Sequence, residues 1–73
     1  METKTKRKIE RMMRKGYTLH HVESLGMGYG CIREYSAHFM DNKCYFHSVR
    51  LRGMNEVNEL EKIVGRGFLI RGL

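Results

Sequence analysis

Four side chains that could bind zinc lie in the middle of the chain: those of Cys31, His38, Cys44 and His47. Protein zinc sites combine cysteine and histidine ligands at characteristic short spacings, and the spacing of these four residues matches none of the standard patterns. On a β-hairpin, His47 would point to the opposite face from His38 and Cys44, so the four side chains would not converge. We therefore predict no metal site and no cofactor, and two partly buried free thiols of the kind expected in a reducing compartment.

Two adjacent histidines, His20 and His21, could supply general acid and base groups for RNA cleavage. Successive side chains of a β-strand point to opposite faces of a sheet, so we expect the two rings to be separated. The segment GMGYG at residues 26–30 does not match a phosphate-binding glycine motif, and no serine–histidine–aspartate set is evident. We therefore predict no catalytic residues and a protein that is not an enzyme.

Positive charge is concentrated at the start of the chain. The net charge is +6, and residues 1–15 hold seven basic and two acidic residues. Like charges on one helical face repel each other, so such a face lowers helix stability unless an anion screens it. A nucleic-acid backbone or an acidic protein surface is therefore the expected partner. We predict that the partner is contacted by four residues spaced to lie on one helical face, Lys4, Arg7, Arg11 and Arg14. Lys8 and Lys15 lie beside this face and add to its positive charge.

The elements that carry these residues follow from apolar spacing and glycine positions. Ile9, Met12 and Met13 predict a helix over residues 4–15 that ends at Gly16. A strand over residues 17–22 follows, and the glycines of residues 26–30 are expected to break it. The predicted fold is a single α+β domain of order αβββαβ, with two helices on one face of a four-stranded antiparallel or mixed sheet. We allow for flexibility in residues 1–8.

A hairpin over residues 31–40 and 44–52 is the clearest local prediction. We favour a three-residue turn that sets Glu34 opposite Arg50, because a two-residue turn would set Arg33 opposite Arg50 and oppose two like charges. Six residues are then expected on the core face: Tyr35, Ala37, Phe39, Tyr45, Val49 and Leu51. Six others are expected on the outer face: Glu34, Ser36, His38, Phe46, Ser48 and Arg50.

A second helix and a short last strand complete the predicted order. Asn55 is the expected cap of this helix, and Val57, Leu60 and Val64 form its apolar stripe. Gly65 or Gly67 should end the helix, and residues 68–71 should form the last strand.

The outer face of the hairpin offers a possible second contact. His38 and Phe46 could stack on bases, with Arg50 and Arg52 near phosphates. An isolated exposed Phe46 is more typical of a contact with a loop or with a second copy of the chain than of base stacking, and a homodimer through a strand edge is also a prediction.

Two families of RNA-directed proteins share features with the chain. The αβββα order is similar to that of double-stranded RNA-binding domains, and IERMMRKGYTLHHV resembles the start of HicA-type RNA-cleaving toxins. The toxins carry a catalytic histidine after the first strand, where this chain has GMGY at residues 26–29. The RNA-binding domains carry a basic run at the start of their last helix, where this chain has the acidic NEVNE at residues 55–59. We therefore assign neither family.

Composition excludes several broad classes of protein. The chain has 73 residues, of which 41% are hydrophobic, and no stretch of about 18 apolar residues that a membrane span needs. We predict a small cytoplasmic protein without a membrane partner that binds nucleic acid or a nucleic-acid-processing machine. The alternative is a phage- or mobile-element-type inhibitor or regulator that docks on a host protein. A small ribonuclease-type toxin that uses His20 or His21 is a weaker alternative.

Overall fold

The computed structural model describes residues 1–72, with Tyr29 described by its backbone alone. The elements follow the predicted order: α1 (Thr3–Arg14), β1 (Thr18–Met27), a 3-10 turn (Tyr29–Cys31), β2 (Arg33–Met40), β3 (Phe46–Arg52), α2 (Gly53–Val64) and β4 (Ile70–Arg71). The sheet order is β3-β2-β1-β4, with β1–β2 and β2–β3 antiparallel and β1–β4 parallel. This is the predicted α+β fold with a mixed sheet. Within the described chain, no helix is both long enough and apolar enough to cross a membrane.

One hydrophobic core joins both helices to the first three strands. Alternate residues of β2 and β3 point into it, which is why the predicted core face of the hairpin is largely buried. Every buried residue in the described part of the chain is hydrophobic, so the polar residues are left for the surface. The core consists of Ile9, Met12, Leu19, Val22, Tyr35, Ala37, Phe39, Val49, Leu51, Val57 and Leu60.

Glycines end both helices, as the sequence predicts. After α1, Gly16 has φ +83°, and the N–H groups of Gly16 and Tyr17 donate to the carbonyls of Met13 and Met12, which is the Schellman pattern. After α2, Gly65 has φ +80° and its N–H donates to the Glu61 carbonyl at 2.8 Å. A left-handed conformation is easiest for glycine, so these positions fix where each helix stops.

The start of α2 differs from the prediction that Asn55 caps it. The helix begins at Gly53, two residues earlier, and Asn55 already lies within the first turn. Gly53 has φ +79°, which lets the chain turn from β3 into α2 without a loop. The Glu56 carboxylate accepts a hydrogen bond from the Arg52 backbone N–H at 2.7 Å. The backbone N–H groups at the start of a helix are not bonded within the helix, and the Glu56 carboxylate satisfies the Arg52 N–H from the first turn.

The hairpin register is displaced by two residues from the predicted one. Ala37 faces Val49 and Glu34 faces Arg52, so the connection spans residues 41–45 instead of three residues. A shift of two keeps the side chains that remain paired on their predicted faces, because side chains alternate with a period of two. Arg50 Nη1 still lies 3.5 Å from Glu34 Oε2, now as a diagonal pair.

The cause of the longer connection is the Asp41 side chain. Asp41 Oδ1 accepts hydrogen bonds from the backbone N–H groups of Lys43 at 2.8 Å and Tyr45 at 3.0 Å. Cys44 adopts φ +67°, a conformation uncommon outside glycine, to close the turn. Tyr45 is consequently in the turn and 68% exposed, so its predicted place in the core is wrong.

The first strand is longer than predicted and contains two irregularities. It continues to Met27 through Gly26, where φ is +94°, instead of breaking near Val22. Leu19 pairs with Phe39 and His21 with His38, which leaves His20 as an extra residue in a β-bulge. The last strand is shorter than predicted, with Ile70–Arg71 alone in the sheet.

Candidate functional site

A groove between α1 and β3 collects positively charged side chains. It encloses about 410 Å³ and is lined by Lys4, Lys8 and Arg11 from the helix and by Arg50 from the strand, together with Thr5, Ser48 and Val49. Among these lining residues from the described chain there is no carboxylate. We call this feature the basic groove.

The groove follows the free edge of the sheet, since β3 is an edge strand. Lys8 Nζ donates to the Ser48 backbone carbonyl at 3.5 Å, so its ammonium group links the helix to the strand edge. Unpaired carbonyls of an edge strand attract cations, and a lysine there also discourages pairing with another strand. The cationic character of the groove thus arises from side chains of α1 next to an open strand edge.

The structure divides the predicted basic stripe into two sets. Lys4, Lys8 and Arg11 line the groove, whereas Arg7 and Arg14 are exposed and lie outside its lining. With about 100° of rotation per residue, Arg7 and Arg14 fall on the side of α1 farther from β3. Lys15 also lies outside the groove, with Nζ 6.0 Å from the centre of the Tyr17 ring.

Charge changes sign at one end of the basic groove. A neighbouring groove of about 300 Å³ shares Thr5 and Arg50 but is also lined by Glu2, Glu34, Arg52 and Glu56. Arg50 is 63% exposed and pairs with Glu34 at 3.5 Å, and exposed pairs of this kind contribute at most about 1 kcal/mol. An incoming anion can therefore compete with Glu34 for Arg50.

The outer face of the sheet carries a second polar surface. The bulge in β1 places His20 and His21 together on this face, so the expectation that strand alternation separates them is wrong. Their Nδ1 atoms are 2.8 Å apart, and the His21 ring stacks on the His38 ring with centroids 4.6 Å apart. Phe46 meets the His20 ring edge-on at 5.3 Å. We call His20, His21 and His38, with Glu23 beside them, the histidine cluster.

Contacts within the histidine cluster fix the orientation of His38. Its Nδ1 is 3.0 Å from Ser48 Oγ, and its Nε2 faces Glu23 Oε2 at 3.6 Å. That Nε2 is shielded from solvent and has no hydrogen-bond partner in residues 1–72. Burial, followed by the positive charge of Arg71, lowers the pKa of His21, which favours the neutral form of its ring.

The four residues predicted as a secondary contact are distributed over the outer face and the two grooves, and that contact stays a prediction. His38 and Phe46 belong to the outer face, 6.4 Å apart between ring centres, whereas Arg50 lines the basic groove and Arg52 lines the neighbouring one. The four residues considered as zinc ligands from the sequence also make separate contacts and share none. His47 lies 2.8 Å from Asp41. Both cysteines are exposed free thiols, so the prediction that they are partly buried is wrong, because both lie in turns.

Regular strand alternation cannot predict the histidine cluster, because it places His20 and His21 on opposite faces of the sheet. A signal for the bulge is present in the sequence: Leu19 and Val22 are both strongly apolar but three residues apart, which a regular strand cannot bury on one face. With one residue extruded, both are buried and the intervening histidines both face outward.

The two surfaces offer different chemistry. The basic groove presents ammonium and guanidinium groups to an anion, and the histidine cluster presents imidazole and carboxylate groups to a cation or a proton. In comparisons with known proteins, no family model, curated protein or solved structure matches this chain.

Proposed function

We propose that this protein is a non-catalytic module that binds the phosphate backbone of nucleic acid in the basic groove. The observation that carries the proposal is the convergence of Lys4, Lys8 and Arg11 with Arg50 around one groove of about 410 Å³. Arginine and lysine are the side chains that neutralise nucleic-acid phosphates. The groove gathers three of the seven basic residues that the sequence concentrates in its first fifteen positions.

The spacing of the groove cations suits a polynucleotide chain. Lys4 and Arg11 are seven residues apart in α1, which corresponds to about 10 Å along the helix axis. Each strand of a duplex rises about 3.4 Å per phosphate along the duplex axis, so α1 laid parallel to that axis would span the rise of about three phosphates. With Arg50 as a fourth contact, a log–log salt slope of about −3 to −4 is expected.

The test is fluorescence anisotropy with labelled single- and double-stranded DNA and RNA over a salt series. Lys8→Gln and Arg11→Gln should each weaken binding several-fold and reduce the slope by about 0.7–0.9, because each removes one phosphate contact. Arg7→Gln and Arg14→Gln are matched controls that remove the same charge from the same helix outside the groove. They should have clearly smaller effects.

Two results would contradict the proposal. Equal effects of all four substitutions would mean that the overall charge of α1, and not the groove, attracts nucleic acid. Absence of binding at physiological salt would leave the alternative, in which the groove receives an acidic segment of a host protein and the chain acts as an inhibitor or regulator. A stoichiometric protein partner that co-purifies in the presence of nuclease would identify that case.

A second candidate function is metal-independent RNA cleavage, favoured by the contact between His20 and His21. Their Nδ1 atoms, 2.8 Å apart, share one proton, so one ring can donate and the other accept a proton. Under this candidate, His20→Ala and His21→Ala should each abolish RNA cleavage, measured in the presence of a chelator. Retention of cleavage in both variants, or no cleavage by the unmodified protein, would exclude it.

A further inference from the structure

The histidine cluster contains three metal-ligating side chains on two adjacent strands. His21 and Glu23 are two residues apart in β1 and therefore share a face, and His38 pairs directly with His21 from β2. Each residue offers one ligand atom, and these atoms all lie within 4.8 Å of one another. We propose that His21, Glu23 and His38 bind one divalent transition-metal ion of the zinc type.

The distances require only small side-chain adjustments. Zinc bonds to histidine nitrogen and carboxylate oxygen are about 2.0–2.2 Å long, so ligand atoms in a tetrahedral site are about 3.4 Å apart. His38 Nε2 and Glu23 Oε2 are 3.6 Å apart, close to that separation and beyond hydrogen-bond distance. A metal ion between them would satisfy a buried nitrogen that has no hydrogen-bond partner within residues 1–72.

Neighbouring contacts support His38 as a ligand. Ser48 Oγ holds Nδ1 of the ring at 3.0 Å, which leaves Nε2 directed at Glu23. Metal-bound histidines usually make such a bond through their second nitrogen, because it fixes the tautomer and the ring orientation. The ring of His21 stacks on that of His38 at 4.6 Å, which limits rotation of both side chains.

The ligand chemistry selects the type of metal. Two imidazole nitrogens and one carboxylate oxygen suit Zn²⁺ and its late first-row neighbours, whereas Mg²⁺ and Ca²⁺ prefer ligand sets made of oxygen. Three protein ligands leave a fourth position for water or for the exposed His20 ring. Arg71 of β4 lies opposite Glu23 of β1 in the sheet register. Its positive charge opposes the binding of a metal cation.

The test is isothermal titration calorimetry with ZnCl₂ on the full chain without nucleic acid. The background carries Cys31→Ser and Cys44→Ser, because both thiols are exposed and can bind zinc themselves. One equivalent of Zn²⁺ should bind, the Tm should rise with ZnCl₂ concentration, and the side-chain ¹⁵N resonances of His21 and His38 should shift. MgCl₂ should produce none of these changes.

Variants assign the binding to the cluster. His38→Gln and Glu23→Gln should each weaken zinc binding by about tenfold or more. Glu23 is 49% exposed, so its variant keeps the test valid even if His38→Gln fails to fold. His47→Gln is the control, since His47 contacts the single carboxylate of Asp41 outside the cluster, and its zinc affinity should be unchanged.

Several outcomes would overturn the proposal. They are absence of zinc binding, zinc affinity that is unchanged in Glu23→Gln, or an equal loss in His47→Gln. These measurements involve no nucleic acid, so their failure would leave the function proposed for the basic groove untouched.

Discussion

Deletion of His20 is a direct test of how β1 is built. His20 is the one residue of the segment 19–22 without a partner on β2: Leu19 pairs with Phe39, His21 with His38, and Val22 with Ala37. Removing His20 leaves three consecutive residues facing three consecutive partners, with Leu19 and Val22 still pointing into the core. Because positions 20 and 21 are both histidine, either deletion gives the same sequence.

The expected loss of stability follows from what His20 contacts. The residue is exposed, and its contacts are the hydrogen bond to His21 at 2.8 Å and the edge-on packing against Phe46 at 5.3 Å. An exposed hydrogen bond and an aromatic pair each contribute about 0.5–1.5 kcal/mol, so the free energy of unfolding should fall by no more than about 3 kcal/mol. Zinc binding should persist, since His21, Glu23 and His38 are all retained.

Deletion of Ser36 is the matched control. Ser36 lies in the middle of β2 and pairs one-to-one with Glu23 and Arg50, so its removal turns half of the strand to the wrong face. Phe39 is fully buried, and its loss from the core alone removes about 3–5 kcal/mol. A domain of this size is stable by only about 4–11 kcal/mol, so this variant should be largely unfolded.

Urea denaturation followed by circular dichroism distinguishes the two deletions. The His20 deletion should show a cooperative transition with an unchanged m value and a lower midpoint. If the His20 deletion unfolds the protein as fully as the Ser36 deletion, the fold requires the bulge. His20 is then not a dispensable extra residue of β1.

Two further perturbations probe the backbone and the hairpin turn. Gly65→Ala should lower the free energy of unfolding by about 1 kcal/mol, because Gly65 closes α2 at φ +80°, where alanine is strained. Gly67→Ala is its control, with no positive φ and no described atom within 4 Å of an added Cβ, and should change the urea midpoint little. For pH, the hydrogen bond from His47, followed by that from the Tyr45 N–H, lowers the pKa of Asp41. A carboxylate whose folded pKa lies below its unfolded pKa stabilises the fold above the unfolded value, and that contribution is lost as the pH falls through the folded pKa. Below about pH 4, the Tm of the unmodified protein should therefore fall more steeply with pH than that of Asp41→Asn, whereas parallel profiles would contradict this role for the carboxylate.

The order of elements and most of the core could be predicted from the sequence. Apolar residues at helical spacing in α1 and α2, and alternation in β2 and β3, each identify one buried face. Glycine after each helix identifies its end because left-handed backbone is easiest for glycine. The prediction that residues 1–8 are flexible stays a prediction, as does the homodimer.

What could not be predicted depends on single side chains and on contacts between elements. The five-residue connection exists because Asp41 accepts two backbone hydrogen bonds, which no pattern of hydrophobicity encodes. The β1 bulge reverses the expected separation of His20 and His21. The division of the basic stripe depends on how α1 lies against β3, and helical spacing alone groups Arg7 and Arg14 with Lys4 and Arg11.

The short strand β4 is joined to the sheet by few backbone hydrogen bonds. β4 pairs with β1 at two positions, Val22–Ile70 and Glu23–Arg71, and the Val22 N–H donates to the Leu69 carbonyl at 3.0 Å. So few hydrogen bonds give this strand a low free energy of local opening, and its amide protons should exchange with solvent well before those of β2. When β4 detaches, Arg71 moves away from Glu23. The positive charge near the outer face therefore depends on the fraction of molecules in which β4 is paired with β1.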